Sequence, residues 1–335
     1  MSNDSIKEHF RQFLVFEDNC RICKKANMNK HFHMTDYFGR LGNQLMCLSN
    51  GLFLALKYSG KFTLGKPIVG NLESCGLVLI DPFEIEFGPS GGGKSSNLKG
   101  TYWNVWEDFD VTVEEVEYNR PHILRTFVLP RINMPELYAP INSHEDIDLS
   151  SYDVVVHLRG GDKFLLDGKR HVVTGGDVQC PLSYFVKIFE DHNFRNILLV
   201  AEDKINPVVN KLLDLKKYNI VFQSSSIPFD VNTILNAKKF IIGGHTSFAR
   251  TLMQMSTKVE EIFVPYIDGM DDFPHWPWFN FDSPEHKPKI HKLYHKNYMS
   301  WFGENGWANT DEQWDLMLNY DNKNIKYIDS MEEIK

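Results

Sequence analysis

The sequence Val154-Val-Val-His-Leu158 is a continuous apolar run of strand length, and it leads directly into the turn residues Arg159-Gly-Gly-Asp162. Similar runs recur downstream, with helix-like segments around them. The predicted strands are Val154–Leu158, Ile197–Ala201, Phe240–Ile242 and Ile262–Val264, and the predicted helices are Pro181–His192, Ile205–Tyr218, Asp230–Lys239 and Thr246–Ser256. Short apolar strands that alternate with helices indicate an α/β fold with a parallel sheet covered on both faces. Ligands of such sheets bind outside the carboxyl ends of the strands.

The first half of the chain carries a weaker α/β pattern. Helical spacing predicts a helix over Leu45–Tyr58, ending near Gly60, and composition predicts a loop over Gly88–Gly100. Short strands are predicted at Phe62–Leu64, Leu77–Ile80 and Ile85–Phe87. At roughly 100–200 residues per domain, 335 residues indicate two domains. The predicted divisions are an N-terminal extension with a helix and a connector (1–30), an α/β domain (31–150), a Rossmann-like domain (151–270) and an aromatic segment that packs back on the body (271–335).

The composition is that of a globular protein, with 42% hydrophobic and 24% charged residues, and it excludes a disordered or coiled-coil chain. Acidic residues (44) outnumber basic ones (36), so no nucleic-acid partner is expected. No apolar run reaches the roughly 18–20 residues of a membrane span, and Met1–Phe10 lacks the apolar core of a secretion signal. Five cysteines, an odd and sparse set, do not indicate a disulfide framework. We expect a soluble protein of a cytoplasm-like, reducing compartment.

A P-loop pattern occurs at Gly88-Pro-Ser-Gly-Gly-Gly-Lys-Ser95, after the strand-like Phe83–Phe87. A P-loop binds phosphate because a helix follows it at once. The next residues, Ser95–Thr101, include Asn97 and Gly100 and carry no apolar stripe. A flexible loop is therefore favoured over an NTPase site.

Two sets of residues have loosely metal-like chemistry. Cys20 and Cys23 precede His31 and His33, but the spacing is not that of a zinc finger, so unligated thiols are favoured. The triplets Asp108–Asp110 and Asp146–Asp148 do not follow apolar strands that would hold them rigidly, so surface acids are favoured. No metal site is predicted.

Three turn segments carry the strongest functional signal, since each adjoins a predicted strand or helix. They are Gly39-Arg-Leu-Gly-Asn-Gln44, His157-Leu-Arg-Gly-Gly-Asp162 and Gly243-Gly-His-Thr-Ser-Phe248. In the first segment, the amides of Asn43, Gln44 and Leu45 are expected at a helix start, where an anion is stabilised. Taken alone, this segment could equally be a tight turn with a capping Asn.

In the second segment, strand alternation places His157 and Arg159 on one face at the carboxyl end of a strand. Arg159 offers a planar fork for a phosphate without a metal, the two glycines leave room for a diphosphate, and Asp162 can orient the guanidinium. The alternative is a loop salt bridge between Arg159 and Asp162. In the third segment, Thr246 and Ser247 can cap a helix or donate hydroxyls to phosphate. Three phosphate-compatible turns in one chain favour a nucleotide-sugar or dinucleotide ligand.

Taken together, these segments resemble the GDP-fucose-dependent fucosyltransferases, the superfamily of α1,2-, α1,6- and protein O-fucosyltransferases. GRLGNQ at 39–44 is similar to their G-x-x-G-N-Q motif, HLRGGD at 157–162 to their H-x-R-R-G-D donor motif, and TSF at 246–248 to the Ser-Ser/Thr-Phe that opens their last conserved helix. Ala201-Glu-Asp203 lies where these enzymes have Ser-Asp-Asp, and Asp230 precedes the final strand as a similar Asp does. The ending Phe263-Val-Pro265 favours the α1,2 group.

The resemblance implies a metal-independent, inverting enzyme with a GT-B-like fold, in which two Rossmann-type domains face a cleft. Residues 31–150 would form the acceptor-side domain, and residues 151–270 would form the domain that binds the GDP-sugar. Such an enzyme would move fucose from GDP-fucose to a sugar hydroxyl of a glycan or glycoprotein acceptor. Arg159 would neutralise the leaving pyrophosphate, and Asp162, with Glu202 in reserve, would remove the acceptor proton. The residues implied on the donor side are Arg40, Gly42, Asn43, His157, Arg159, Asp203, Asp230, Thr246, Ser247 and Phe248, and no cofactor is implied.

Two positions depart from the family pattern. Gly160 stands where the second Arg of the donor motif is usual, and Arg250-Thr251 replaces a Trp-Trp pair of the α1,2 enzymes. Arg250 lies one turn into the predicted helix, where it could restore the missing charge. Beside the α1,2-fucosyltransferase, the remaining hypotheses are a protein O-fucosyltransferase, a nucleotide-sugar-binding scaffold without activity, and the P-loop NTPase.

Overall fold

A computed structural model describes the chain over ten ranges. These are residues 31–34, 40–58, 60–64, 84–86, 96–98, 111–131, 149–164, 179–267, 280–298 and 309–329. They form a mixed α/β protein that divides into two compact units. The N-terminal unit comprises residues 1–139, 251–255 and 280–287, and the C-terminal unit comprises 140–250, 256–279 and 288–335. Within these described ranges, no helix has both the length and the apolar character of a membrane span.

The N-terminal unit has a small sheet beside a buried helix. Its described elements are β1 (His31–Met34), α1 (Leu41–Lys57), β2 (Lys61–Leu64), β3 (Glu84–Glu86), β4 (Ser96–Leu98) and α2 (Val113–Ile123). The strand order is β3-β2-β1-β4, with β1 parallel to β2 and β4 and with β3 antiparallel to β2. The α1 sequence is buried almost throughout, so this helix forms the core of the unit rather than one of its surfaces.

Polar side chains join the helices of the N-terminal unit. The Arg120 guanidinium is buried and donates to Ser49 Oγ (3.1 Å) and to Asn50 Oδ1 (2.9 Å), both of which lie on α1. After Pro121, which cannot donate an amide hydrogen, the helix passes into a π-helical turn at Leu124–Val128. Arg125 in that turn donates to Ser283 Oγ (2.8 Å), which anchors residues 280–287 to this unit.

The C-terminal unit is built on a larger, mostly parallel sheet. Its strands are β5 (Val154–Leu158), β6 (Asn196–Ala201), β7 (Asn219–Gln223), β8 (Lys239–Ile242), β9 (Glu261–Ile267), β10 (Lys289–His295) and β11 (Ile325–Ile328). Its helices are α3 (Leu182–Asp191), α4 (Pro207–Leu213), α5 (Ile227–Asn236), α6 (Ser247–Met255, whose last five residues count with the N-terminal unit) and α7 (Asp311–Asn319). The order is β11-β10-β9-β8-β5-β6-β7, and β11 alone among these strands is antiparallel to its neighbour.

The strand order places β5 at the point where the topology reverses. From β5 the chain moves to β6 and β7 on one side, and then returns to β8, β9 and β10 on the other. One face of the sheet is covered by α3, α4 and α7, and the buried cluster there includes Val156, Phe185, Leu212 and Met317. Trp314, from the aromatic segment, packs against the same cluster. In open α/β sheets, ligands bind outside the carboxyl ends of the strands at such a reversal, which lies here between β5 and β8.

The four apolar runs of the second half are confirmed as strands, and β5 has the predicted bounds. The helix predicted at 205–218 is too long. The observed helix begins after Asn206, whose side-chain oxygen accepts the Val208 amide (3.0 Å), and it ends at Leu213. The helix expected at 230–239 begins at Ile227 and ends at Asn236, since Lys239 joins β8. The loop prediction for Gly88–Gly100 was wrong at its end, where Ser96–Leu98 pairs with β1. Residues 1–30 and the strand predicted at Leu77–Ile80 lie outside the described residues.

Candidate functional site

Polar residues gather at the carboxyl edge of the C-terminal sheet. Adjacent strands end side by side there, since Leu158 pairs with Ala201 and His157 pairs with Ile242. The turns that follow β5, β6 and β8 contribute, in that order, Arg159-Gly-Gly161, Glu202-Asp203 and Gly243-Gly-His-Thr246. Segments that are about forty residues apart in sequence therefore meet at one edge.

His157 lies at the end of β5 and is almost fully buried. Burial is the main reason that its pKa falls from 6.5 to about 3, and the nearby positive charge of Arg159 lowers it further. Among the described residues, Nδ1 of His157 has no hydrogen-bond partner. Its ring lies 5.4 Å from that of Phe248. His157 is therefore a neutral hydrogen-bonding group, and it brings no positive charge to the site.

The turn after β8 approaches the β5 backbone closely. The Gly243 amide donates to the His157 carbonyl oxygen (2.9 Å), and a Cβ at Gly243 would lie only 2.4 Å from that oxygen. Gly244 follows with a φ of 145°, a conformation that L residues rarely adopt. Glycine is thus required at both positions by the protein's own backbone.

The turn after β8 runs into α6, which begins at Ser247. The Thr246 carbonyl accepts the Arg250 amide (3.3 Å), so Thr246 occupies the position before the first helical residue. The first-turn amides of an α-helix have no acceptor within the helix and can bind an anion. Of the donor residues that the resemblance implies in this segment (Thr246, Ser247 and Phe248), Phe248 lies beside His157, with the two ring centroids 5.4 Å apart.

Arg159 follows the last residue of β5 and is half-exposed. Its carbonyl oxygen accepts a hydrogen bond from Asn206 Nδ2 (2.9 Å). Two residues further, the Gly161 amide donates to Asp203 Oδ2 (2.8 Å), while Asp203 Oδ1 accepts the Ile205 amide (2.9 Å). Both carboxylate oxygens of Asp203 therefore bind backbone amides of the protein.

The two candidate bases are Glu202, whose side chain the structure describes, and Asp162, of which it describes the backbone. Glu202 is exposed, and its carboxylate lies beside Gly161, since Oε2 would be 2.3 Å from a Cβ at that glycine. Gly161 has a φ of 60° within a 3-10 turn that spans Gly161–Lys163. The backbone of Asp162 lies in this turn, and its side chain is outside the described part of the chain.

Asp230 lies in the first turn of α5 and is buried. Its Oδ1 accepts a hydrogen bond from Nε2 of Gln223, the last residue of β7 (2.6 Å), and Nε2 also contacts Thr233 Oγ1 (3.1 Å). Burial raises the pKa of Asp230 from 3.8 to about 6, although the hydrogen bonds from Gln223 and from the Ser225 backbone oppose this rise. The structure thus places Asp230 in a buried polar network at the end of β7.

The donor residues predicted in the first half belong to the N-terminal unit. Arg40 is exposed and precedes α1, Gly42 is buried and Asn43 is half-buried. The helix begins at Leu41, four residues earlier than predicted, and the Gln44 amide already donates to the Arg40 carbonyl (3.1 Å). The amides of the first helical turn are therefore those of residues 41–43, and the prediction of Gln44 and Leu45 was wrong.

Buried groups beneath the turn after β8 were not predicted from the sequence. Tyr184 donates to the Ile242 carbonyl (3.2 Å), and Tyr298 donates to the carbonyl of Gln179 (2.8 Å), which itself pairs with Gly244. His295 is fully buried beside Tyr184 and Tyr298, and burial lowers its pKa to about 4. These contacts join residues that are remote in sequence, so no local motif marks them.

Other predicted features lie elsewhere. The segment Gly88–Ser95, the pair Cys20 and Cys23, and both Asp-x-Asp triplets fall outside the described residues. His33 Nδ1 lies 2.8 Å from Thr63 Oγ1, across neighbouring strands. Arg250 is buried in α6, one turn after Thr246.

Comparison with known proteins gives matches among solved structures only. No protein-family model and no curated protein matches the chain. A crystal structure of POFUT1 in complex with GDP has a TM-score of 0.35 at 10% sequence identity, covering 71% of this chain and 98% of that chain. A crystal structure of POFUT1 in complex with GDP-fucose has a TM-score of 0.34 at 10% identity, covering 70% and 98%. Similarity at this level assigns no activity to this chain.

Proposed function

We propose that the C-terminal unit binds the diphosphate of GDP-fucose at the carboxyl edge of its sheet, and that the protein transfers fucose to a hydroxyl group. The observation that supports this proposal is that Arg159, just after β5, and the first turn of α6, which follows β8, lie at the carboxyl ends of the two paired strands where the topology reverses. A guanidinium and helix amides are anion-binding groups that work without a metal. The resemblance of the three turn motifs supplies the identity of the nucleotide sugar.

In the proposed reaction, the acceptor hydroxyl oxygen attacks the anomeric carbon of fucose. The bond between that carbon and the β-phosphate oxygen breaks, and its electron pair stays on the phosphate. Arg159 stabilises this developing negative charge, because a preorganised cation acts most strongly where charge appears during the reaction. The hydroxyl proton passes to a carboxylate. Glu202 and Asp162 are the candidates, and the exposure of Glu202 beside Gly161 supports its role as a base.

The remaining donor contacts are part of the same proposal. Neutral His157 and the Thr246 and Ser247 hydroxyls hydrogen-bond phosphate or ribose oxygens, Phe248 packs on the nucleotide, and Asp230 contributes from α5. Arg40, Gly42 and Asn43, at the start of α1, are assigned to the donor by the resemblance of their motif alone. The acceptor is a sugar hydroxyl, as in the α1,2 group, or a protein hydroxyl, as in the protein O-linked group.

Calorimetric titration with GDP, GDP-fucose, UDP and ATP in EDTA tests the proposal. Arg159→Ala removes a charge-assisted contact of about 1.5–3 kcal/mol, so GDP binding should weaken roughly 10- to 150-fold. Arg159→Lys keeps the charge and loses the fork, so its effect should be intermediate. Arg195→Ala is the matched control, because Arg195 precedes the amino end of β6 and stacks on Tyr218.

Each result decides between the hypotheses. Metal-free GDP binding that collapses in Arg159→Ala supports the site, and release of GDP from GDP-fucose with an acceptor panel then supports transfer. GDP binding without transfer to any acceptor identifies a nucleotide-sugar-binding scaffold. Binding of ATP only with Mg²⁺, or GDP binding that is equal in wild type and Arg159→Ala, overturns the proposal.

A further inference from the structure

The turn that carries Arg159 is held by the loop between β6 and α4. Asn206 Nδ2 donates to the Arg159 carbonyl (2.9 Å), and Asp203 Oδ2 accepts the Gly161 amide (2.8 Å). These bonds hold the peptide groups on both sides of Gly160. Arg159 lies just beyond the end of β5, so the strand ladder no longer fixes its main chain. We call Asp203 and Asn206 the β6–α4 clamp.

Both members of the clamp are themselves fixed. Asp203 Oδ1 accepts the Ile205 amide (2.9 Å), and Asn206 Oδ1 accepts the Val208 amide at the start of α4 (3.0 Å). Asn206 is fully buried. Each side chain therefore has one polar atom on its own loop and one on the Arg159 turn, which couples the two turns rigidly.

The clamp also explains the glycine at position 160. A Cβ at Gly160 would lie 2.7 Å from Asp203 Oδ1 and 3.2 Å from its Cγ. The Asp203 carboxylate thus occupies the space that a side chain at 160 would need. The family pattern has an Arg at this position. Here the Asp203 carboxylate, which accepts the Gly161 amide, fills the space that such a side chain would enter.

We propose that Asp203 and Asn206 are positioning residues, which hold the main chain of Arg159–Gly161 so that the Arg159 guanidinium faces a bound diphosphate. This inference rests on the proposed function, in which Arg159 binds that diphosphate. It assigns Asp203 to the protein's own backbone rather than to the nucleotide. Fixing a residue before binding lowers the entropic cost of binding, so the clamp raises affinity without touching the ligand.

A double-mutant cycle on GDP affinity separates positioning from general structural damage. Asn206→Ser is the clamp variant, because serine can still cap α4 and is too short to reach the Arg159 carbonyl. We expect Asn206→Ser to weaken GDP binding about tenfold in the wild-type background, and less than twofold in the Arg159→Ala background. Asn210→Ala is the control, because the Asn210 side chain likewise donates to a backbone carbonyl, that of Lys204 (2.9 Å), and does not contact the Arg159 turn. The GDP affinity of Asn210→Ala should equal that of the wild type. An equal loss in both backgrounds overturns the proposal.

A ligand-independent measurement keeps the inference testable if GDP does not bind. In Asp203→Ala, the Gly161 amide loses its acceptor, so its hydrogen exchange measured by NMR should accelerate at least tenfold, while strand β5 amides keep their rates. Absence of GDP binding by the wild type, together with accelerated exchange, overturns the proposed function and leaves the clamp standing. Unchanged Gly161 exchange overturns the clamp whatever the nucleotide result.

Discussion

Gly243→Ala tests the close approach on which the candidate site is built. The added Cβ would lie 2.4 Å from the His157 carbonyl oxygen, and 3.0 and 3.1 Å from the Leu158 Cδ2 and Cγ atoms. To reach even 3.0 Å, the oxygen and the new carbon must separate by 3.0 − 2.4 = 0.6 Å. Backbone on both sides resists that movement, because β5 and β8 are central strands of the sheet.

The cost follows from two effects. Forcing one extra carbon into a close-packed interior costs about 1–3 kcal/mol, and weakening the bond from the Gly243 amide to the His157 oxygen costs about 0.5–1.5 kcal/mol. The free energy of unfolding should therefore fall by about 1.5–4.5 kcal/mol. Urea denaturation followed by far-UV circular dichroism measures it as a lower midpoint at an unchanged m-value.

Gly161→Ala is the matched control, because it carries a different kind of strain. Its φ of 60° costs an alanine roughly 1–2 kcal/mol, while the Glu202 carboxylate that meets the new Cβ is exposed and can move away. We expect Gly243→Ala to lose more stability than Gly161→Ala. If Gly243→Ala unfolds within about 0.5 kcal/mol of wild type, the close approach of these two backbones is refuted.

Three further predictions concern buried polar groups. Because Asp230 has a pKa of about 6 in the folded protein against 3.8 ordinarily, the folded state binds its proton more tightly and stability is lost as pH rises from 4 to 6. Asp230→Asn should therefore unfold near the wild-type urea midpoint at pH 4. At pH 7 its free energy of unfolding should exceed that of the wild type by up to roughly 3 kcal/mol, as urea titrations at both pH values would show. Buried His157 and His295 have pKa values of about 3 and about 4, below the ordinary histidine value of 6.5, because the folded protein disfavours the protonated ring. Both residues therefore lower the free energy of unfolding as pH falls from 6.5 toward 4, and have no such effect above pH 6.5. His295→Gln should flatten part of that slope, and an unaltered slope would contradict it. Tyr298→Phe leaves the Gln179 carbonyl without its 2.8 Å donor and should lower the unfolding free energy by about 1–2 kcal/mol, measured in urea at pH 7.

The strands of the C-terminal sheet could be predicted because each is an apolar run that the sheet buries. Val154–Leu158 is buried at every position, and so are five of the six residues in β6. In contrast, β7 lies at the sheet edge and alternates between exposed and half-buried residues before it ends at the buried Gln223. β10 has two lysines and two histidines among its seven residues, so nothing in its composition marks a strand. Tertiary pairing alone turns such segments into strands.

The parts of the candidate site that lie within a single turn could be predicted from the sequence. Arg159, Thr246 and Phe248 stand directly after a strand or at a helix start, where local sequence marks them. Asn206 was not predicted, because its contact with the Arg159 carbonyl spans 47 positions. The burial that neutralises His157 was equally hidden, since it depends on how the sheet is covered.

The glycines of the site carry less functional information than their motifs suggest. Gly243 is required by the His157 backbone, Gly160 by the Asp203 carboxylate and Gly161 by its positive φ, and none of these causes involves a ligand. A protein that bound no nucleotide would need the same glycines to fold this way. Arg159 differs from them, because its guanidinium is a charged group that binds anions, whereas a glycine brings no side chain to a ligand. A nucleotide-binding function is therefore tested most directly at the Arg159 side chain, and the glycine substitutions test the scaffold that presents it.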